Sequence, residues 1–329
     1  MSERKLTKEW EVSAFDRVNN EWTTTMNHAY EPHVEIGEDL FTRQAVPTII
    51  RPTKRIKPTR ECSTTMFIGD TQFPFQDDRA LSLARIAIQE IQPDTVVFVG
   101  DDLDMPTFST FAQRSEWNST LQGALDGLHE YIAQIKADSG AEVIKHEGNH
   151  DFRLERQIRQ YNGDLLGLRR ANAHHELGVL TVGYLLRLEE LGVIHVTGYP
   201  NAEYWHEDHL KSFHGKYTVA DGSTMARVIG KSTVSCVQGH SHRAELVYRT
   251  FQDGRNQRTI FGLNPGTMCD FSKTPSGEFA TDERGNITTQ RPNWQQTVGL
   301  VYHNAEMASP HLLPITAEGI QIFDKTYRS

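Results

Sequence analysis

From residue 64 onward, short runs of β-branched and aromatic residues alternate with stretches whose apolar residues recur every three or four positions. A period of two suits a strand and a period near 3.6 a helix, so the chain reads as alternating β and α elements. Residues 65–68 form a candidate buried strand ending in Gly69 and Asp70. Ala80, Leu83, Ala84, Ala87 and Ile88 then fall on one helical face, before a strand over 95–99 runs into Gly100 and Asp101. The unit repeats: Leu121, Ala124, Leu125, Leu128 and Ile132 mark a helix, and residues 142–145 a strand leading into Gly148, Asn149 and His150. Further strands are predicted over 193–196, 210–213 and 233–237, with a helix near 223–229. Beyond His242 the helical pattern stops. Residues 243–250 and 257–263 flank FQDGRN, a hairpin signal, and two more strand-like runs lie at 297–302 and near 320–323.

One segment lies outside this pattern. Residues 1–62 are polar and weakly periodic and end in the basic, proline-bearing stretch RPTKRIKPTR at 51–60, which reads as an N-terminal extension and linker. A solvated arm is the plainer reading of that stretch and a nucleic-acid contact the sharper one, while Trp10 and Trp22 suggest docking on something apolar. Residues 63–329 form the main domain, with a β-rich C-terminal tail.

Composition narrows the class. At 329 residues, 37% hydrophobic and 23% charged, the chain has the makeup of a globular protein. No apolar run approaches a membrane span and the polar start lacks the core of a signal peptide, so a cytoplasmic protein without membrane contact is expected. Cys62, Cys236 and Cys269 lack the spacing of a disulfide framework or thiolate zinc site. A net charge of −9 argues against a surface-wide nucleic-acid footprint without excluding a local basic groove.

The candidate chemistry sits where strands end, the usual place for ligand sites in open α/β sheets. GDTQ carries Asp70 and Gln72, GDDLD carries Asp101 and Asp104, and GNHD carries Asn149, His150 and Asp151. FHG and GHSH follow with His214, His240 and His242. These oxygen and imidazole donors suit manganese, iron, zinc or nickel. His209, three residues after His206 in YWHEDH, rivals His214, which is preferred because HG follows the strand-like LKSF. His146, His174 and His175 read as structural, and Glu147 and Asp151 as groups that orient ligands. Arg153, Arg156 and Arg159 share a helical face after GNHD. Surface ion pairs suffice for the last two, whereas Arg153 lies near enough to bind substrate. Asn264, in NPGT, borders the pocket by position only.

The series resembles the calcineurin-like metallophosphoesterases, whose pattern is DxH, GDxxD, GNH followed by Asp or Glu, a later His, and GHxH. The likeness covers roughly residues 66–264, with GNHD and GHSH intact. It implies a four-layer α-β-β-α sandwich of two mixed sheets flanked by helices, which periodicity alone does not distinguish from one doubly wound sheet. It further implies two divalent metal ions, manganese foremost with zinc, iron or nickel as alternatives. Asp101 would bridge them, with Asp70, Gln72 and His242 completing one site and Asn149, His214 and His240 the other. His150, left free of metal, would protonate the leaving group under the control of Asp104, and Asn149, His150 and Arg153 would contact the phosphoester. The chain departs from the pattern at Gln72, where the family has His, and a neutral amide is the weaker donor. The implied activity is metal-dependent phosphoester hydrolysis, by a phosphatase or phosphodiesterase acting on a small nucleotide or similar ester. A DNA or RNA nuclease using the same centre is the second reading. A non-catalytic scaffold with a degraded metal site is the third.

Overall fold

Side chains alternate across each strand, so the buried residues of one strand divide between two layers. A computed structural model describes residues 10–16, 21–27, 49–52, 61–109, 120–173, 177–219, 222–272 and 293–329. The chain begins with β1 (Trp10–Asp16), β2 (Glu21–Asn27) and β3 (Ile49–Pro52). Then come β4 (Ser63–Ile68), α1 (Asp78–Ile91), β5 (Thr95–Phe98), α2 (Leu121–Ser139), β6 (Glu142–His146), α3 (Phe152–Tyr161), α4 (Val182–Leu185) and β7 (Val193–Val196). The second half runs through β8 (Glu203–Glu207), β9 (Leu210–Phe213), α5 (Thr224–Lys231), β10 (Ser235–Gln238), β11 (Ala244–Asp253) and β12 (Asn256–Pro265). It ends with β13 (Thr297–His303), β14 (Ala308–Thr316), β15 (Gly319–Ile322) and β16 (Lys325–Tyr327).

Two eight-stranded mixed sheets result, in the orders β16-β15-β14-β13-β4-β5-β6-β7 and β11-β12-β10-β9-β8-β3-β1-β2. In the first, β4, β5, β6 and β7 are parallel and β13 closes antiparallel on β4. In the second, β10 lies parallel between β9 and β12, and β11 folds back on β12 through the DG turn.

Three apolar clusters correspond to the three layer contacts. Met66, Ile68, Val96, Phe98 and Val143 face outward from the first sheet onto Ala84, Ile88, Leu128 and Ile132 of α1 and α2. The intervening positions Phe67, Val97 and Ile144 point inward and meet Leu210, Val237 and Leu263 of the second sheet. On the far side Cys236 and Ile260 pack under Met225 and Ile229 of α5. A fully buried Leu, Ile or Phe contributes roughly 1.5–3 kcal/mol, so these interleaved faces fix the strand register. Asp77 caps α1 by accepting from the Arg79 and Ala80 amides. The outcome is the expected four-layer sandwich.

Residues expected as an extension supply strands to the second sheet: β3 runs parallel to β8, pairing Ile49 with Glu203, and β1 lies between β3 and β2. Their sequence, EWTTTMN in β2 for example, is rich in Thr and lacks an apolar stripe, so propensity rather than hydrophobic patterning marks it. Residues 53–60 of the basic stretch lie outside the described residues, as do His174 and His175. Among the described residues no helix is long and apolar enough to cross a membrane.

Candidate metal centre

Five loops meet at one end of the sandwich, each following a parallel strand: 69–72 after β4, 100–104 after β5, 147–151 after β6, 214–215 after β9 and 239–242 after β10. The turns are tight. Gln72, Asp101, His240 and His242 take left-handed backbone conformations, with φ of 53°, 54°, 71° and 57°. Non-glycine residues held there carry roughly 1–3 kcal/mol of strain each, which the surrounding packing must sustain. Gly148 answers the same crowding, since a Cβ on it would lie 2.1 Å from Asp101 Oδ1.

Asp101, His214 and His240 place ligand atoms within 4.8 Å of one another. His214 Nδ1 donates to the Val99 carbonyl at 2.9 Å, which leaves Nε2 facing Asp101 Oδ2 and Asn149 Oδ1, each at 3.1 Å. Two oxygen acceptors therefore converge on one ring nitrogen, an arrangement that calls for positive charge. Burial opposes a charge on His214, but Asp101 outweighs it and raises the imidazole to about 9. Burial likewise works to raise Asp101, while His214, His150 and His240 together hold it well below the usual carboxylate range. A divalent cation fits this donor set, meeting the same oxygens with a neutral His214 as a further ligand.

Asp70, Gln72 and His242 form the neighbouring group. His242 Nε2 lies 2.9 Å from Asp70 Oδ2 and 3.1 Å from Gln72 Nε2, and Gln72 is only 2% exposed. Here too burial disfavours the imidazolium and Asp70 overrides it, raising His242 to about 10. A half-turn of the Gln72 amide presents Oε1 where Nε2 now points, so this set also suits a cation. Asp70 binds the neighbouring loop as well, accepting from the His240 amide. The Trp294 ring lies edge-on to His242, 4.4 Å between centroids.

His150 stands beside the first of these groups. Its Nδ1 donates to Asp104 Oδ1 at 2.6 Å, so Nε2 is the nitrogen left for chemistry. Arg153 donates through Nη1 to the Asp104 carbonyl and through Nη2 to His150 Nε2, at 2.6 and 3.0 Å. Acid candidate, orienting carboxylate and guanidinium thus share one corner.

Beneath the loops lies a support that sequence reasoning only partly found. Asp151 Oδ2 accepts from the amides of Asp101 and Gly148, and its Oδ1 accepts from Leu103. Lys145, fully buried, donates to Asp151 and sits 3.0 Å from Asp102. Neither Lys145 nor Asp102 was anticipated, although a lysine inside the apolar strand EVIKH was the available signal. Asn264 proves to be a loop clamp, donating to the Gly239 carbonyl and Ser241 Oγ. Glu147 accepts from the Gly198 and Tyr199 amides.

Other candidates fall away from the centre. His146 and His206 both bond Ser212 between the sheets, and His209 lies in the β8–β9 turn. Arg159 pairs with Glu155, and Arg156 donates to the Phe108 carbonyl.

The model for calcineurin-like phosphoesterases matches residues 63–253. The gene 54 proteins of Mycobacterium phages D29 and L5 are each 25% identical over 257 residues, covering 75% of this chain and 92% of the relative. Vacuolar protein sorting 29 from Cryptosporidium parvum superimposes with a TM-score of 0.36 at 12% identity, over 82% of this chain and 99% of that one.

Proposed function

The chain belongs to the calcineurin-like phosphoesterase family, and on that premise we propose that it hydrolyses a small phosphoester, a nucleotide or similar compound, at a dinuclear metal centre. The observation that carries this reading is the convergence of two largely buried donor groups, Asp70, Gln72 and His242 beside Asp101, Asn149, His214 and His240, at one end of the sandwich. In the proposal Asp101 serves both ions, Asp70, Gln72 and His242 complete one site, and Asn149, His214 and His240 the other, with manganese the first candidate. Divalent cations held there supply Lewis acidity toward phosphoryl oxygens and a water acidic enough to react at neutral pH.

The chain's own residues do the rest. Asn149 and Arg153 hold the phosphoryl group against the centre, and the guanidinium is suited to two of its oxygens at once. When phosphate draws Arg153 away, His150 Nε2, until then an acceptor, is free to take up a proton from solvent and pass it to the departing oxygen. Asp104 fixes the ring so that this nitrogen, rather than Nδ1, faces the reaction. No protein base is required for the water.

The test is turnover of bis(p-nitrophenyl) phosphate and of nucleotide monoesters and diesters after loading with manganese, nickel, cobalt or zinc. Asp101→Asn should abolish activity. His150→Ala should lower the rate by ~10² to 10⁴ for alkoxide leaving groups and much less for p-nitrophenolate. Absence of turnover with every metal would leave the scaffold reading, and preference for a polynucleotide with steep salt dependence would select the nuclease.

A further inference from the structure

The donors Asp70, Gln72 and His242 are gripped by residues beyond 253, where the family match ends. Gly266, Thr267 and Met268 follow β12, and residues 293–296 lead into β13. Gly266 takes φ +73°, and a Cβ there would come 2.2 Å from the Gln295 carbonyl oxygen, so the two runs lie in contact. Together they tie one ligand loop to the other. Thr267 Oγ1 donates to the Asp70 carbonyl at 2.7 Å, and the Met268 amide donates to the same carbonyl at 3.1 Å. The Thr267 amide donates to the Gln295 carbonyl at 3.0 Å, and the Gln295 amide to the His242 carbonyl at 3.1 Å. Gln295 Oε1 also accepts from the Ala244 amide, and Gln296 Nε2 donates to Asp77 Oδ2 and the Cys269 carbonyl. The circuit from Asp70 through Thr267 and Gln295 to His242 fixes the backbone of both loops.

This circuit leaves the ring of His242 to be held by other means. An imidazole ligand is normally aimed by a hydrogen bond from its other nitrogen, as the bond from His214 Nδ1 to the Val99 carbonyl does for the neighbouring group. His242 has no equivalent. Its Nε2 faces Asp70 and Gln72, and its Nδ1 is buried without a well-formed hydrogen bond, the Cys269 thiol beside the ring being a weak partner. What meets the ring is Trp294. Its indole stands at 67° to the imidazole with 4.4 Å between centroids, and Phe271 stands 6.1 Å from the indole at 72°. Rings packed edge to face favour that relative orientation, so an indole held by a second ring and by the bonded backbone of Gln295 restricts rotation of His242. Under this cover His242 is 7% exposed.

We propose that Trp294 is the positioning residue of the first metal site, aiming His242 Nε2 by ring packing in place of the missing hydrogen bond and keeping water from the ring. The inference rests on the metal-centre reading and goes beyond it, because it gives the site a residue outside both the ligand set and the matched family region. Gln72 is a weaker donor than imidazole, and a His242 ring oriented in advance offsets part of that weakness.

Manganese titrated calorimetrically into the full chain tests the assignment. Trp294→Ala should weaken one manganese site by about tenfold or more, the loss that removal of an outer partner produces, and leave the other unchanged. Trp294→Phe keeps a ring against His242 and should recover most of the affinity, which a general loosening of the loop would not do. A second readout needs no metal. In protein carrying isotope-labelled histidine, NMR should show one sharp His242 ring signal in the wild type, broadened or split by exchange between ring orientations in Trp294→Ala. Unchanged manganese affinity in Trp294→Ala, equal weakening of both sites, or no recovery in Trp294→Phe overturns the proposal. If no metal binds the wild type, the metal-centre reading falls, and a His242 signal equally sharp in wild type and Trp294→Ala overturns the role of Trp294 independently.

Discussion

Lys145→Met tests whether the buried cation under the loops organises the site. Lys145 has no solvent exposure and lies 3.0 Å from both Asp102 and Asp151. Burial works against its charge, and the two carboxylates outweigh burial and raise it above its ordinary value. Met keeps most of the stem's volume, so the change removes charge rather than packing. Stripping one partner from a buried ion pair costs about 3–5 kcal/mol, because the remaining charge is left uncompensated. The variant has an escape, since Asp102, already pushed up to about 7 by burial and by Asp151 and Asp70 against the pull of Lys145, can take a proton. Its folded pKa lies above the unfolded value, so the folded state binds the extra proton between about pH 4 and 7, and stability falls as pH rises through that window. Without Lys145 the window extends upward, so the loss should be near 3 kcal/mol at pH 6 and near 5 at pH 8.5. Urea unfolding at the two pH values reads this as a drop in midpoint of about 1 M or more, growing with pH, for a slope near 3 kcal/mol/M. Because Asp151 also holds the Asp101 and Gly148 amides, activity of the folded variant should fall too. A midpoint within about 0.2 M of wild type at both pH values would refute the reasoning.

Gln72→His should tighten metal binding by at least the ~10-fold that even an outer ligand change produces, measured by calorimetry, and an unchanged affinity removes Gln72 from the site. Gly148→Ala drives a Cβ into Asp101, 2.1 Å from Oδ1, and displacement on that scale should lower kcat by about 10² or more; wild-type turnover would show that Asp101 does not need its present position. His146 is buried with Nδ1 unpartnered, and burial, with His214 and Lys145, lowers it to about 3. Its folded pKa lies below the unfolded one, so its contribution is complete above pH ~6.5 and lost as pH falls. His146→Gln should therefore flatten the acid limb of the stability curve by about 1.4 kcal/mol per pH unit between pH 6 and 4, and an unaltered slope counts against it.

Much of the fold was legible because its strands are strongly patterned. In β4 and β5 nearly every residue is buried, and α1 and α2 present one apolar face each. The DG turn between β11 and β12 was equally plain. The hidden parts share a physical cause: β8, with its single fully buried residue Tyr204, and β14, alternating around Pro310 and Ile315, earn their place by pairing with neighbours rather than by local pattern. β1 to β3 follow the same logic, since sheet extension rewards backbone hydrogen bonds that no sequence period advertises.

The candidate site divides in the same way. Its outer groups fall at strand ends in recognisable strings, while its support depends on partners 40 to 50 positions away, as when Asp151 holds Asp101 and Leu103. No local pattern reveals that Lys145 turns inward. Gln72, the one departure from the expected string, can be weighed on these terms. A side chain with no role at the centre would gain by relaxing its left-handed backbone and hydrating its amide. Instead Gln72 keeps φ at 53° and stays 2% exposed, with its amide against His242 and its backbone amide bonded to the Asp101 carbonyl. Strain of this kind persists only where the surroundings over-determine it. The proposed role of Gln72 at the first site asks for that position, whereas a scaffold in which the site has decayed asks for neither the strain nor the burial.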